Sequence, residues 1–313
     1  MEGDRIQRPF RFAVFAYRAD SRRGWEEKAR RVEALGYAIL VMPDHFLNPL
    51  TPVPALASVA AVTTTLRIGT IVFANDYRHP ALLAKEAATL DLLSDGRFEF
   101  GLGAGWFQKE YEQVGISFDP PGRRIDRMRE ALTICKGLWS EQPLTFQGTH
   151  YAIAGLDGTP KPVQKPHPPI FIGGTGRRML QLAGQEADIV GFIPKNLPGG
   201  GHDWLASTPE LLTEQMGWVR EGAGTRFDQL ELSMVAFRAI VTDRPREIAM
   251  EIARDHDLTP DQVLASPDFL IGSDDAIVEC LLSRRNDFGV SYLEIDDRDA
   301  AGFASVVARL AGR

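Results

Sequence analysis

The chain has 313 residues, of which 44% are hydrophobic and 25% are charged, the usual composition of a globular protein. It carries 35 Lys and Arg against 42 Asp and Glu, a formal net charge of −7. The composition excludes a disordered or collagen-like chain. The negative net charge argues against nucleic acid or an anionic membrane as a partner. The length allows two ordinary domains or one large α/β barrel.

The cysteines and histidines indicate neither disulfides nor a metal. Cys135 and Cys280 each lie in a helix-periodic segment, and the 6 histidines show no His-x-x-x-His spacing. The first residues run directly into a strand-like segment without an apolar signal region, and no run of about 18 apolar residues follows. We therefore expect a cytoplasmic protein without a bound metal.

Short β-branched or aromatic runs alternate with helix-periodic segments along most of the chain. The predicted strands are residues 10–17, 37–42, 66–73, 97–102, 169–172, 188–193, 231–241 and 290–295. The predicted helices are residues 24–35, 54–65, 80–94, 123–140, 177–184, 209–221, 244–255 and 274–288, with a last helix ending at Leu310. A hairpin at 144–153 with a proline-rich run after it, and a glycine-rich loop at 198–207 predicted as a mobile lid, interrupt the alternation.

This alternation predicts an α/β fold, a (β/α)8 TIM barrel with loop insertions after strands 4 and 6, formed by residues 1–313 as a single domain. A doubly wound sheet gives the same alternation with fewer strands, so the strand count favours the barrel. The first strand-to-helix turn also lacks the Gly-x-Gly-x-x-Gly fingerprint of dinucleotide binding.

In such a barrel the active site lies at the carboxyl ends of the strands. Asp44 and His45 follow the second strand, where a carboxylate beside an imidazole can serve acid-base chemistry or can cap the next helix. Residues 69–74 lie at the end of the third strand and could line a flat aromatic ligand or simply pack the barrel.

Glycines follow the fourth and fifth strands. Gly101, Gly103 and Gly105 would allow the backbone to approach a ligand closely, which alone is a weak signal. The fifth strand ends in the sequence Gly-Gly-Thr-Gly at 173–176 and leads directly into a helix. Free amides at a helix N-terminus favour an anion, so this turn is the strongest phosphate signal, with an ordinary glycine turn as the alternative.

Taken together, the motifs resemble the luciferase-like flavin and deazaflavin oxidoreductases, the bacterial luciferase superfamily. The resemblance covers nearly the whole chain, and within the superfamily the sequence is most similar to the branch assigned to coenzyme F420. It rests on Asp44-His45-Phe46, LRIGTIVF at 66–73, Arg78-His79-Pro80, KEAATLDLLSDGRFEFGLGAGW at 85–106, KPHPPIFIGGTG at 165–176 and Ala187-Asp188.

The resemblance implies a barrel that holds a reduced flavin or deazaflavin at its carboxyl-terminal mouth and transfers a hydride. His45 and Asp44 would be the catalytic residues, with His45 as proton donor or as stabiliser of charge on the substrate. A non-prolyl cis peptide bond would lie near residues 71–72, and the phosphate would bind at 173–175. The implied cofactor-binding residues are Asp44, Thr70, Ile71, Val72, Gly103, Gly105, Gly173, Gly174 and Thr175.

Two departures from the family pattern bear on the substrate. The family's sugar-phosphate dehydrogenases have a Trp shortly after the His and a Glu after the strand-four glycines. Here those regions read Leu47-Asn48-Pro49 and Ala104-Gly105, which disfavours that substrate class. Aromatic residues at strand ends predict instead a pocket for an apolar or aromatic substrate. These residues are Phe15, Phe46, Phe73, Trp106 and Phe107.

Three functions remain open at this point. The first is an F420-dependent oxidoreductase acting without oxygen, for which Arg177, Arg178 and Lys195 are candidates to hold the charged cofactor tail. The second is an FMN-dependent monooxygenase that takes reduced flavin from a partner reductase. The third is a non-catalytic flavoprotein. In addition to a small-molecule substrate and a flavin or F420 reductase, we expect a second copy of the chain as partner, in a homodimer.

Overall fold

The computed structural model describes residues 7–197 and 199–313. The strands are β1 (Arg11–Phe15), β2 (Ile39–Met42), β3 (Arg67–Thr70), β4 (Phe73–Ala74), β5 (Phe98–Gly103), β6 (Leu144–Gln147), β7 (Ala152–Leu156), β8 (Ile170–Gly174), β9 (Ile189–Phe192), β10 (Glu231–Ala236), β11 (Arg238–Val241), β12 (Phe269–Gly272) and β13 (Val290–Asp296). The helices are α1 (Arg22–Ala34), α2 (Pro52–Val62), α3 (Pro80–Leu93), α4 (Gln108–Val114), α5 (Pro121–Trp139), α6 (Arg177–Glu186), α7 (Pro209–Ala223), α8 (Pro245–His256), α9 (Pro260–Ala265), α10 (Asp274–Phe288), α11 (Asp297–Ala300) and α12 (Ala304–Leu310).

The main sheet has the strand order β3-β2-β1-β13-β10-β9-β8-β5-β4, and β3 also pairs with β5. Since β3 and β4 are two parts of the predicted third strand, the sheet closes with eight strands. The fold is therefore the predicted (β/α)8 barrel. Among the described residues, no helix is both long and apolar enough to cross a membrane.

By internal contacts the described residues divide into two compact units, and the first comprises residues 7–16, 31–39, 174–197 and 199–313. Its strands β1, β13, β10 and β9 are parallel neighbours. Phe12 on β1 packs against Phe303, which lies just before α12. Leu293 on β13 pairs with Phe12, so the two side chains lie on the same face of the sheet. Side chains alternate along a strand, so Glu294 faces the opposite side of the sheet.

The second unit comprises residues 17–30 and 40–173. In it β5 pairs in parallel with β3, β4 and β8. Trp139 at the end of α5 is buried and donates its indole N–H to the carbonyl of Ala84 on α3, at 2.9 Å. Arg97 donates to the carbonyls of Ala60 and Leu66 at 2.9 and 2.6 Å. The Ser-Asp-Gly-Arg sequence at 94–97 thus connects α2 to the start of β5 through the hydrogen bonds of Arg97.

The structure corrects several predicted boundaries. The predicted strand 231–241 is two strands, since the chain breaks at Phe237, whose N–H donates to the carbonyl of Asp268. The second half, β11, pairs with β12 in a separate two-stranded sheet. The strand β12 and the short helices α4 and α9 were absent from the prediction, and the last predicted helix is divided into α11 and α12.

The two predicted interruptions of the alternation are the hairpin and the lid. The predicted hairpin is present as the antiparallel pair β6 and β7. Pro198, in the predicted lid, lies outside the described residues, and the remainder of that loop contains a short 3₁₀ turn at Trp204–Ala206. The lid and the single-domain organisation stay predictions.

Candidate active site

Asp44 follows β2, whose four residues are all buried, and is itself only 8% exposed. It accepts a hydrogen bond from the Ala74 N–H at 3.1 Å and two from Arg78, at 2.5 and 3.3 Å. The Arg78 Nε also lies 3.1 Å from the carboxylate of Glu86. Both oxygens of Asp44 are therefore held by the segment after β4, which fixes this carboxylate in one orientation.

Glu86 supports this arrangement from α3. Burial raises the pKa of the Glu86 carboxyl, and the neighbouring Arg78 guanidinium opposes that rise. Arg78 in turn lies over the ring of Phe73, with 4.9 Å to the ring centroid. The guanidinium is thus placed between two carboxylates and an aromatic face, and this arrangement compensates the buried charge of Asp44.

His45 is held by a carboxylate that the sequence analysis did not assign. Its Nδ1 lies 2.6 Å from Oε2 of Glu110, and Glu110 is completely buried. Glu110 also accepts from the Leu47 N–H at 3.0 Å and from the Tyr77 hydroxyl at 3.2 Å. With the carboxylate of Glu110 as acceptor, the Nδ1–H of His45 is the donor of this bond, and Nε2 lies on the other side of the ring for acid-base chemistry.

Tyr77 stays protonated in this setting. Burial and the Glu110 carboxylate raise the pKa of the Tyr77 hydroxyl above its ordinary value. Its ring packs against Phe46 and Tyr111, at centroid distances of 4.5 and 5.4 Å. Tyr77 therefore acts as a neutral donor to Glu110.

Three of the five aromatic residues predicted for the substrate pocket lie near His45 in sequence or space. Trp106 meets the His45 ring edge to face at 5.8 Å and stacks on Phe107 at 5.0 Å. Phe46, the residue after His45, is 52% exposed. These side chains give the site an apolar rim.

The other two predicted pocket residues are placed differently. Phe73 is completely buried, where it packs against Phe100 at 6.1 Å and supports Arg78. Phe15 ends β1 in the first unit and is half-buried. Phe73 thus contributes to the core, and a substrate contact for either residue stays a prediction.

The predicted cofactor-binding residues around β3 and β5 are engaged with one another. The Thr70 hydroxyl donates to the Gly101 carbonyl at 2.9 Å and accepts from the Gly101 N–H at 3.0 Å. A Cβ on Gly103 would lie 2.4 Å from Val72. The peptide bond between Ile71 and Val72 is cis, at the position that the resemblance implied.

Gly105 also has a structural reason to be glycine. Its φ is +74°, and a Cβ there would overlap the Tyr111 hydroxyl. Contacts within the protein thus require glycine at these positions, and the predicted close approach of a ligand stays a prediction.

The predicted phosphate site lies where β8 leads into α6. Gly176 caps the helix without a side-chain hydrogen bond, and nothing would obstruct a Cβ built there. Thr175 is half-buried, and its carbonyl accepts from the Gln215 amide at 3.3 Å. Uncapped amides beside a free approach fit a phosphate. Nearby, Arg177 pairs with Glu221 at 2.9 Å on the surface.

Sequence reasoning missed Glu110, Tyr77 and the role of Arg78. Glu110 lies on α4, where Phe107, Glu110, Tyr111 and Val114 follow helical spacing. That spacing was the available signal for a helix with Glu110 on its inner face. Among the residues that the structure describes, no group of three or more His, Cys, Asp or Glu side chains could hold a metal ion.

The fold and these strand-end residues define a (β/α)8-barrel protein with a carboxylate-held histidine at the carboxyl end of β2. Residues 9–263 match the family described as luciferase-like monooxygenase. The chain belongs to this family, as the resemblance implied.

Its relatives use two different cofactors. The chain is 32% identical over 193 residues to an F420-dependent glucose-6-phosphate dehydrogenase of Microbacterium testaceum, which covers 59% of this chain and 53% of the relative. It is 35% identical over 109 residues to an FMNH2-dependent dimethylsulfone monooxygenase of Pseudomonas putida, covering 35% of this chain and 30% of the relative. The chain thus spans about half, or less, of the length of these two relatives.

Solved structures share the fold over a greater length. The coenzyme F420-dependent tetrahydromethanopterin reductase of Methanopyrus kandleri superposes with a TM-score of 0.76 at 18% identity. The alignment covers 96% of this chain and 99% of the reductase. At this identity the similarity establishes the fold alone.

Proposed function

We propose that this protein is an F420-dependent oxidoreductase that transfers a hydride to or from a small, apolar organic substrate. The observation that carries the proposal is the 2.6 Å contact between His45 Nδ1 and the fully buried Glu110. A histidine held by a buried carboxylate at a strand end has the geometry of an acid-base residue, because its other nitrogen is free to exchange a proton.

The residues present fit the cofactor. Gly173, Gly174 and Thr175, with the uncapped start of α6, would hold its phosphate. Arg177, Arg178 and Lys195 would hold the charged tail. Asp44, fixed by Arg78, would accept from the polar edge of the ring system, beside Ile71 and Val72. The bound deazaflavin supplies the carbon that takes up or releases the hydride.

The chain's own residues do the remaining work. His45 gives a proton to, or takes one from, the substrate oxygen through Nε2, while Glu110 holds the imidazole in one orientation. Trp106 lies at 5.8 Å from the His45 ring and stacks on Phe107, so these two rings give that side of the imidazole an apolar neighbour.

Two considerations favour F420 and an apolar substrate. The match to an F420-dependent relative extends over 193 residues, against 109 for the FMNH2-dependent relative. The side chains around His45 are aromatic, with Phe46, Trp106 and Phe107 on the rim. These side chains suit an apolar substrate better than a sugar phosphate.

The alternative is an FMN-dependent monooxygenase that works with a flavin reductase, and the match to the FMNH2-dependent monooxygenase supports it. The homodimer, the partner reductase and the cytoplasmic location also stay predictions.

Oxygen dependence separates the two functions. A panel of secondary alcohols, aldehydes and enones should be supplied with F420 or reduced F420 under strict anaerobiosis, and in parallel with FMNH2 and oxygen. The proposal predicts a change in F420 absorbance without oxygen for at least one substrate. Turnover only with FMNH2 and oxygen would establish the alternative and overturn the proposal.

A further inference from the structure

Glu110 connects the histidine to a second hydroxyl. Its Oε2 atom contacts His45 Nδ1 at 2.6 Å on one side and accepts from the Tyr77 hydroxyl at 3.2 Å on the other. The other oxygen accepts from the Leu47 N–H. Because Glu110 is completely buried, a proton that reaches this carboxylate can leave only through one of its hydrogen-bonded neighbours.

Tyr77 also lies at the wall of a cavity. It lines an open cavity of about 400 Å³, together with Asp76, His79, Ser117, Asp119 and Tyr151. This volume is large enough for several water molecules. Part of its wall is charged, since Arg127 pairs there with both Asp76 and Asp119 at 2.6 Å. The cavity lies within the second unit, as do Tyr77, Glu110 and His45.

We propose that Glu110 and Tyr77 form a proton relay that connects His45 to water in this cavity. The relay is a property of the protein itself, while its use in turnover rests on the proposed function. Glu110 and Tyr77 are then positioning residues that act through His45.

The transfer conserves atoms and charge and involves no oxidation. In the outward direction the N–H bond at His45 Nδ1 breaks as an O–H bond forms on Glu110. That proton passes to the Tyr77 oxygen while the phenol releases its own proton to cavity water. Because burial and Glu110 raise the pKa of Tyr77, a free phenolate is disfavoured and the two tyrosine transfers must occur together. The net result is one proton moved from imidazolium to water.

The relay would let His45 exchange a proton with water while a bound ligand covers its ring. The His45 side chain is 28% exposed, and a ligand bound against that exposed part would separate the ring from bulk water. The Nδ1 side faces Glu110, so a proton could still be exchanged through Tyr77 while the ligand is bound.

The test measures the exchange of the His45 Nδ1 proton with water by NMR on protein labelled with nitrogen-15 histidine, without any cofactor. Tyr77→Phe keeps the ring against Phe46 and Tyr111 but removes the hydroxyl. The matched control is Tyr151→Phe, because Tyr151 lines the same cavity and its hydroxyl contacts Asn75 rather than Glu110. We expect exchange to slow about tenfold or more in Tyr77→Phe and to keep the native rate in Tyr151→Phe.

A native exchange rate in Tyr77→Phe, or equal slowing in both variants, would overturn the relay. Glu110→Gln is a second variant, because the amide keeps the shape but does not shuttle a proton. Its expected signature is slow exchange together with a changed ratio of the two His45 tautomers in the ring nitrogen shifts. Neither measurement involves turnover, so a failed relay and a failed assignment of F420 chemistry give different results.

Discussion

Replacing Glu294 by Gln should stabilise the protein in a pH-dependent manner. Glu294 lies on β13 and is completely buried. The Ser233 hydroxyl donates to its Oε1 at 2.6 Å, while Oε2 has no hydrogen-bond partner among the described residues. Burial raises the pKa of Glu294 to about 7, partly opposed by the bond from Ser233.

The magnitude follows from the pKa of the folded and unfolded states. Below an ordinary value of 4.5 the carboxyl is protonated in both states, and its ionisation costs nothing. As the pH rises from 4.5 to about 7 the unfolded chain ionises first, so the folded state loses stability over this range. At about 1.4 kcal/mol per pH unit, the difference reaches an upper value of about 3 kcal/mol above pH 7.

Urea unfolding of the native protein and of Glu294→Gln at about pH 8 and about pH 5 measures this term. The variant should gain up to about 3 kcal/mol relative to the native protein at the higher pH, and most of that gain should vanish at the lower pH. Asp268, whose pKa is raised by burial to about 6, titrates in both proteins and cancels in the comparison. A stability difference that is the same at both pH values would show that ionisation of Glu294 does not destabilise the folded protein.

Three further substitutions test the site and its support. His45→Asn should lower kcat by about 100-fold or more while cofactor affinity changes little. The control His79→Asn should keep full activity, because Asn can still cap α3. An equal loss of activity in both variants would contradict a catalytic role specific to His45. Arg78→Met leaves the buried Asp44 without its charge partner and should cost about 3 kcal/mol in chemical denaturation, with partial recovery in the double variant with Asp44→Asn. Additive losses in that double variant would contradict the pairing. Glu130→Ala removes the acceptor of three amides in the β6–β7 turn, at 2.7, 2.9 and 3.1 Å. It should cost about 1 to 2 kcal/mol and speed hydrogen exchange of those amides, so unchanged exchange would count against the anchor.

The regular elements could be predicted because their signals are local. The helix α10 was predicted with its observed bounds, since Ser273 caps its start and Gly289 ends it with a positive φ. The helix α9 was missed because six residues are too short to show a helical period.

The site could be predicted only in part, because some of its contacts join residues that are distant in the sequence. Asp44 and His45 were found because they follow a strand, which is a property of the sequence. Glu110 lies 65 positions from His45, and only the folded chain brings the two together. Gly103 and Gly105 were predicted as cofactor-binding residues from their place after a strand, and that role stays a prediction. The sequence could not show that a Cβ at these positions would meet Val72 and Tyr111.

The F420 assignment requires that this protein bind coenzyme F420 in preference to FMN. A titration of the purified, cofactor-free protein with each of the two cofactors in low-salt buffer, following the quenching of tryptophan fluorescence, measures this preference. We expect micromolar or tighter binding of F420 and much weaker binding of FMN. Preferential binding of FMN would contradict the F420 assignment, and binding of neither cofactor would contradict both enzyme functions.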